Sequence, residues 1–207
     1  DLVRSRGLGD VYKRQILNIG NKNVPVVFAD FTSKDKITPA GLFAAGYNYS
    51  VPLDKWNISD TACDYIYAGN KLINFAIPGT LGIIYDHPTW LNQYSERCYP
   101  IMDIKTYQGE KQKSKTLNLI AICFSELTSE LISTLSSDKT AVLLIETENT
   151  HGMAEQRRLF IELINSQCDV PVIIRRSYNN LTEEELQIQS STDLGSLFLD
   201  GLGDGVF

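Results

Sequence analysis

The sequence is poor in the groups that carry most side-chain chemistry. It has only two histidines, His87 and His151, and no GxSxG nucleophile motif, which leaves hydrolase chemistry little support. Its four cysteines, Cys63, Cys98, Cys123 and Cys168, are widely scattered and form no CxxC pair. Neither a zinc site nor a disulfide framework is indicated, and Cys123, inside an apolar run, reads as core. There is no GxGxxG and no lysine following a glycine-rich loop, so the common phosphate cradles are missing. No apolar run approaches the ~20 residues that span a bilayer, and the amino terminus lacks the apolar core of a signal peptide. A cytoplasmic location without a membrane partner is the expectation, with the thiols reduced. Basic residues are in deficit: the formal charge is −6 and the pI about 5.0, which argues against a nucleic-acid partner.

The first fifteen residues differ from the rest. They carry Arg4, Arg6, Lys13 and Arg14 against Asp1 and Asp10, a charge of +2 within a total of −6, leaving −8 for residues 16–207. They show neither helical nor strand period. They resemble a sequence that recurs at the ends of reading frames from metagenomic assemblies, where sequencing-adapter DNA has been translated. Residues 1–15 are therefore expected to be an artefact outside the fold. Residues 16–207 are expected to form a single α/β domain, since 43% hydrophobic and 21% charged residues are ordinary for a globular chain.

The carboxyl-terminal half reads clearly. Leu117–Phe124, Ala141–Ile145 and Val170–Ile174 are apolar throughout, as buried strands are. Between them lie helical periods. One opens at Ser125 with Leu127, Leu131, Ile132 and Leu135 on one face. A second runs from Met153 to Ser166, with Met153, Phe160, Leu163 and Ile164 inward. A third is announced by the capping box Thr182-Glu-Glu-Glu185 and the staple Leu181–Leu186. Leu197–Leu199 reads as a further strand. In the front half Val24–Ala29, Cys63–Ala68, Leu81–Tyr85 and, more weakly, Tyr99–Ile104 read as strands. Gly41–Gly46 suggests a single helical turn, and the lysine-rich Lys105–Lys115 an exposed loop. Eight candidate strands, apolar throughout and alternating with helices, imply parallel strands with right-handed crossover helices. A TIM-barrel-like α/β fold with degenerate front helices is the first expectation, and an open doubly wound sheet the alternative.

In such a barrel the chemistry would sit at the carboxyl ends of the strands. Asp30, Asp86 with His87, Glu146 with Glu148, Arg175 with Arg176, and Asp200 with Asp204 are the residues expected there. Carboxylates and arginines could hold a phosphorylated ligand or a metal. Polar residues also gather at strand ends simply because burial stops there, and that reading is preferred. Asp86 and His87 are adjacent, and neighbours in extended chain rarely point the same way. His151 reads as a helix cap. Tyr47, Tyr49, Tyr65, Tyr67 and Tyr85 read as core and interface aromatics. Asp200-Gly-Leu-Gly-Asp-Gly205 could cradle an anion, but its aspartates oppose phosphate and suit a hard cation better. A tight turn leading out of the last strand is the preferred role.

The stretch Leu194-Gly-Ser-Leu-Phe-Leu-Asp-Gly-Leu-Gly-Asp-Gly-Val206 resembles a segment of the 4-hydroxy-3-methylbut-2-enyl diphosphate synthase family, in its large three-domain form. Val24-Pro-Val-Val-Phe-Ala-Asp30 fits the same form. The resemblance marks Asp200, Gly201, Gly203, Asp204 and Gly205 as a family-marker loop. It implies a barrel-like insert between a catalytic barrel and an iron–sulfur domain, with the chain stopping before the latter. The family opens methylerythritol cyclodiphosphate reductively, using a [4Fe-4S] cluster fed by ferredoxin or flavodoxin. The cluster ligands belong to a CPSCGR-like segment, and no cysteine follows Cys168. The resemblance thus implies a structural insert with no catalytic, cofactor-binding or metal residue of its own. A free-standing barrel acting on a phosphorylated small molecule through Arg175, Arg176 and Glu146 is the alternative.

Overall fold

The computed structural model describes residues 13–93 and 95–207. Two short antiparallel strands come first, β1 (Gln15–Ile16) and β2 (Ile19–Gly20). The parallel strands are β3 (Val26–Asp30), β6 (Tyr65–Gly69), β7 (Gly82–Asp86), β8 (Cys98–Met102), β9 (Asn118–Cys123), β10 (Ala141–Glu146), β11 (Val172–Ile174) and β12 (Gly205–Val206). Each pairs in parallel with the next, and β12 pairs with both β11 and β3, so the eight strands close into a barrel. An open doubly wound sheet is set aside. Between β3 and β6 the antiparallel hairpin β4 (Tyr47–Ser50) and β5 (Lys55–Ile58) stands apart from the barrel sheet.

Helices flank the strands unevenly. After β7 and β8 come only α1 (His87–Trp90) and α2 (Ile104–Gly109). After β9, β10 and β11 come α3 (Ser129–Ser137), α4 (Gly152–Asn165) and α5 (Glu183–Leu199). The degenerate front and regular back halves match the sequence pattern, with adjustments. Residues 124–126 form a 3-10 turn, and the helix expected from Ser125 begins after Thr128, whose hydroxyl accepts from the Leu131 amide at 3.2 Å. The expected loop at Lys105–Lys115 begins as α2, because Asp103 caps it through the Thr106 amide at 2.8 Å. The turn at Gly41–Gly46 is a 3-10 helix, Ala40–Ala45, closed by Gly46 in the left-handed region.

Strand alternation sorts the core into an inside and an outside. Inside the barrel are Val26, Phe28, Tyr65, Ile84, Tyr99, Leu117, Leu119, Val142, Leu144 and Ile173, closed from below by Ile16 and Ile19 of the β1–β2 hairpin. The filling is unusually aromatic. Phe28 stacks on Tyr65 at 4.7 Å and on Phe207 at 5.7 Å, and Tyr65 meets Tyr99 at 6.2 Å. Outside, one layer joins β9–β11 to α3, α4 and α5, and a second covers β6 and β7 with the segments that follow β3 and β6.

Two expectations fail at the ends of the chain. Lys13, Arg14 and Gln15, placed outside the fold by their sequence, are part of it; residues 1–12 of that stretch lie outside the described residues. Arg14 is buried and donates from Nε to Asp169 Oδ1 at 2.8 Å and from Nη2 to the Ser136 carbonyl at 3.2 Å. The strand expected at Leu197–Leu199 is the last turn of α5, and the eighth strand is Gly205–Val206. The helix opened by the Thr182–Glu185 capping box runs through Gly195 and stops only at Gly201, the first glycine of the segment in the left-handed region.

Candidate functional site at the barrel mouth

The marker loop does not lie at the mouth. It joins α5 to β12 at the opposite, amino-terminal end of the strands, so it leads into the last strand rather than out of it. Its residues form a helix stop. The Gly201 amide donates to the Phe198 carbonyl and the Leu202 amide to the Leu197 carbonyl, both at 2.9 Å. Gly201 has φ 73°. This is a Schellman cap, with buried Leu202 packed in the same cluster as Leu197. Asp200 ion-pairs with Arg157. Asp204 is buried, and its Oδ2 accepts from the Val172 amide at 2.8 Å and from Lys13 Nζ at 3.1 Å. Its carbonyl accepts from the Val26 amide at 3.0 Å. Asp204 therefore ties the starts of β11, β12 and β3. The expected placing of Asp200 and Asp204 among mouth residues is corrected, because the element before them is a helix.

The other expected residues do converge on the mouth. Arg175, one residue past β11, is the hub. Its Nη1 donates to Glu146 Oε1 at 2.9 Å, and its Nη2 lies 3.7 Å from Asp30 Oδ2. Its guanidinium lies 4.3 Å from the centre of the Phe207 ring and 5.9 Å from that of Tyr67. Asp30 also accepts from Thr32 through its amide at 2.8 Å and its hydroxyl at 2.6 Å. Asp86 accepts from the Tyr67 hydroxyl at 2.5 Å. Burial and this bond to a carboxylate push the Tyr67 phenol well above its ordinary range. The mouth is thus a lid of ion pairs laid over an aromatic plug.

His87 does not join it. Its ring is buried, with Nε2 2.8 Å from the Gln112 carbonyl oxygen, while Asp86 faces Tyr67. Arg176 points away from Arg175. Its Nε and Nη2 grip Asp193 Oδ2 at 3.1 and 2.9 Å, and its Nη1 donates to the Asn149 carbonyl at 3.3 Å. Tyr178 donates to the same Asp193 oxygen at 3.0 Å. Gly152 makes room for this clamp: a Cβ there would lie 1.9 Å from Arg176 Nη1. A cleft of about 1090 Å³ opens beside the clamp, lined by Cys123, Glu148, His151 and Arg176 among others. His151 precedes α4 without the side-chain cap expected of it.

Sequence reasoning missed Cys123 and Tyr67 as mouth residues. Cys123 is the last residue of β9 and half-buried rather than core. Burial first, then the carboxylates of Glu126 and Glu146, raise its thiol pKa, the opposite of what a nucleophilic thiol needs. Strand parity would have placed Cys123, since Leu119 and Ala121 precede it on the inward face. Of the tyrosines expected in the core, Tyr47, Tyr65 and Tyr85 are buried, Tyr47 donating to the Cys63 carbonyl at 2.7 Å and the Tyr85 hydroxyl accepting from the Ile73 amide at 3.2 Å, whereas Tyr49 is half-exposed on the β4–β5 hairpin.

The cysteines do not fit a four-iron cluster. Cys63 and Cys98 are buried in the layer over β6 and β7, Cys168 in the layer over β9–β11, and Cys123 stands at the mouth. Among the described residues no group of three or more His, Cys, Asp or Glu could hold a metal ion. No helix among them is long and apolar enough to cross a membrane.

Fold and site together define a closed, eight-stranded parallel α/β barrel of TIM type, aromatic inside and ion-paired across its mouth. No family model matches the chain, and no solved structure matches it. Curated relatives do. The chain is 30% identical over 193 residues to "4-hydroxy-3-methylbut-2-en-1-yl diphosphate synthase (flavodoxin)" of Parabacteroides distasonis, covering 93% of this chain and 28% of that protein. Proteins of the same name from Phocaeicola vulgatus and Bacteroides fragilis are 24% and 26% identical, each over 94% of this chain and 28% of their own length. The chain belongs, as a segment, to the 4-hydroxy-3-methylbut-2-en-1-yl diphosphate synthase family. It spans about 28% of the length of the relatives it matches.

Proposed function

We propose that this barrel is the structural insert of a large 4-hydroxy-3-methylbut-2-en-1-yl diphosphate synthase. In this reading it holds the flanking catalytic barrel and iron–sulfur domain in register and carries out none of the chemistry. The whole enzyme is then an oxidoreductase of isoprenoid biosynthesis in the cytoplasm. It converts 2-C-methyl-D-erythritol 2,4-cyclodiphosphate to 4-hydroxy-3-methylbut-2-enyl diphosphate with electrons from flavodoxin or ferredoxin. A [4Fe-4S] cluster supplies the reducing electrons, and its ligands lie outside this chain.

The observation that carries the reading is the state of the mouth. A working diphosphate site keeps cationic groups aimed at an open space. Here Arg175 is engaged by Glu146 and Asp30, and Arg176 by Asp193. Phe207 and Tyr67 fill the barrel beneath. The same pairs disfavour the free-standing phosphate-binding alternative.

The test is turnover in the whole Parabacteroides distasonis protein with the residues aligned to Arg175 and Glu146 replaced together by Met and Gln. Removing both leaves Asp30 as the one carboxylate without its cation, and it keeps the Thr32 amide and hydroxyl as donors. At matched folded fraction, kcat and KM are expected to stay within about twofold, a free-energy change of ~0.4 kcal/mol. A hundredfold fall in kcat with stability intact would place catalysis in this barrel.

A further inference from the structure

The outer side of the barrel is covered except at one seam. Helices α3, α4 and α5 follow β9, β10 and β11 and bury their outward residues: Ile120, Ile122, Leu143, Ile145, Val172 and Ile174 are all at most 1% exposed. The segments after β3 and β6 do the same for Ile66, Ala68, Ile83 and Tyr85. The remaining seam lies between β12 and β3. There Val206 pairs directly with Val27. Both point outward, because Val26, Phe28 and Phe207 are on the inside. Val27 is 45% exposed, although Ile174, two strands away in the same row, is 0% exposed under α5. At the end of α5, the helix over the neighbouring strand, Leu199 is 89% exposed. Val206 is half-buried, and among the described residues no helix follows β12 to cover Val27.

We propose that the Val27–Val206 seam is the seat of an eighth crossover helix, supplied by the part of the polypeptide that follows the matched stretch in the full-length relatives. The inference rests on the reading above that this barrel is one segment of a longer chain. Three observations select a helix of the same chain over a second copy or another protein. In the regular βα units β9–α3, β10–α4 and β11–α5 each strand is followed by a helix that packs in the outer layer, and a helix after β12 is the next member of that series. The surface to be covered is Val27 with half-buried Val206 and the exposed Leu199 beside them, a row narrow enough for one helix ridge and small for a dimer interface. The relatives also carry about 72% of their length outside the matched stretch, the complement of the 28% covered.

Maleimide labelling with peptide mapping tests this. Val27→Cys in the present chain is expected to react as an exposed thiol. The cysteine placed at the aligned position of the whole Parabacteroides distasonis protein is expected to react more slowly by about tenfold or more. A photoreactive residue at that position should crosslink within the same polypeptide, to a segment starting within about 30 residues after the matched stretch, the length of one βα unit. Equal labelling rates, slow labelling in the isolated chain, or crosslinks to a second copy or a distant segment would each overturn the proposal. It can fail while the mouth variants keep full turnover, so its failure is distinct from failure of the insert reading.

Discussion

Gly201, in the loop after α5, and Gly205, which opens β12, stand four positions apart and are needed for different reasons. Gly201 supplies a left-handed backbone at the helix stop, with φ 73°, where any Cβ is strained. Gly205 lies inside the barrel wall, where a Cβ would sit 2.6 Å from Val26 Cγ2 and 2.7 Å from both Ile173 Cδ1 and the Val26 carbonyl oxygen. Backbone cannot move aside as a side chain can. Gly201→Ala is therefore expected to cost about 1 kcal/mol and Gly205→Ala roughly 2–3 kcal/mol or more, measured by urea unfolding. Equal costs would mean that the wall at Gly205 gives way. The glycine spacing was visible in the sequence, but its meaning was not. The letters mark a loop, while the side of the barrel on which it lies depends on whether the preceding Leu197–Leu199 is helix or strand.

That ambiguity belongs to the element scale. Three apolar residues in a row fit a buried strand or the buried end of a helix equally well. The deciding signal was the capping box at Thr182, whose hydroxyl accepts from the Glu185 amide at 3.3 Å while Glu185 returns a bond to the Thr182 amide at 2.8 Å. The seven other barrel strands were legible because their apolar runs are longer. The true last strand, Gly205–Val206, is two residues long and half glycine, and no periodicity can register it. The β1–β2 and β4–β5 hairpins escaped for the same reason of length. Along α5 the ends differ: Glu183 to Gln189 is exposed, and Leu197 is 0% exposed. Thr182→Ala is expected to cost about 1 kcal/mol, confined to the first turns and read as faster amide exchange there. Leu197→Ala is expected to cost roughly 3–5 kcal/mol of global stability. If Thr182→Ala loosened the whole barrel as much as Leu197→Ala, the first half of α5 would be part of the cooperative core.

Across the whole molecule, closure puts ionisable aromatics and thiols in a dry interior. Burial raises the Tyr65 and Tyr107 phenols well above their usual value of 10.0, pushes Tyr85 to about 12 and lifts the Cys63 thiol from 9.0 to about 11. All these folded-state values lie above the unfolded ones. The stability they contribute is full below pH ~9 and is lost as pH rises through the folded values. The melting temperature is thus expected to fall from about pH 9, where the Cys63 contribution starts to go, and more steeply from pH 10 to about 12, where the tyrosines follow; a flat profile there would mean that these groups are open to solvent. Closure also brought Asp30, Glu146 and Arg175 together, a convergence that the sequence implied once the barrel was assumed. What strand-end positions could not reveal was that these charges neutralise one another above an aromatic filling. The most direct measurement of that claim is calorimetric titration of the purified chain with 2-C-methyl-D-erythritol 2,4-cyclodiphosphate and with inorganic diphosphate. The account predicts no saturable heat for either ligand. Saturable binding of either, abolished by Arg175→Met in a variant that still folds, would contradict it.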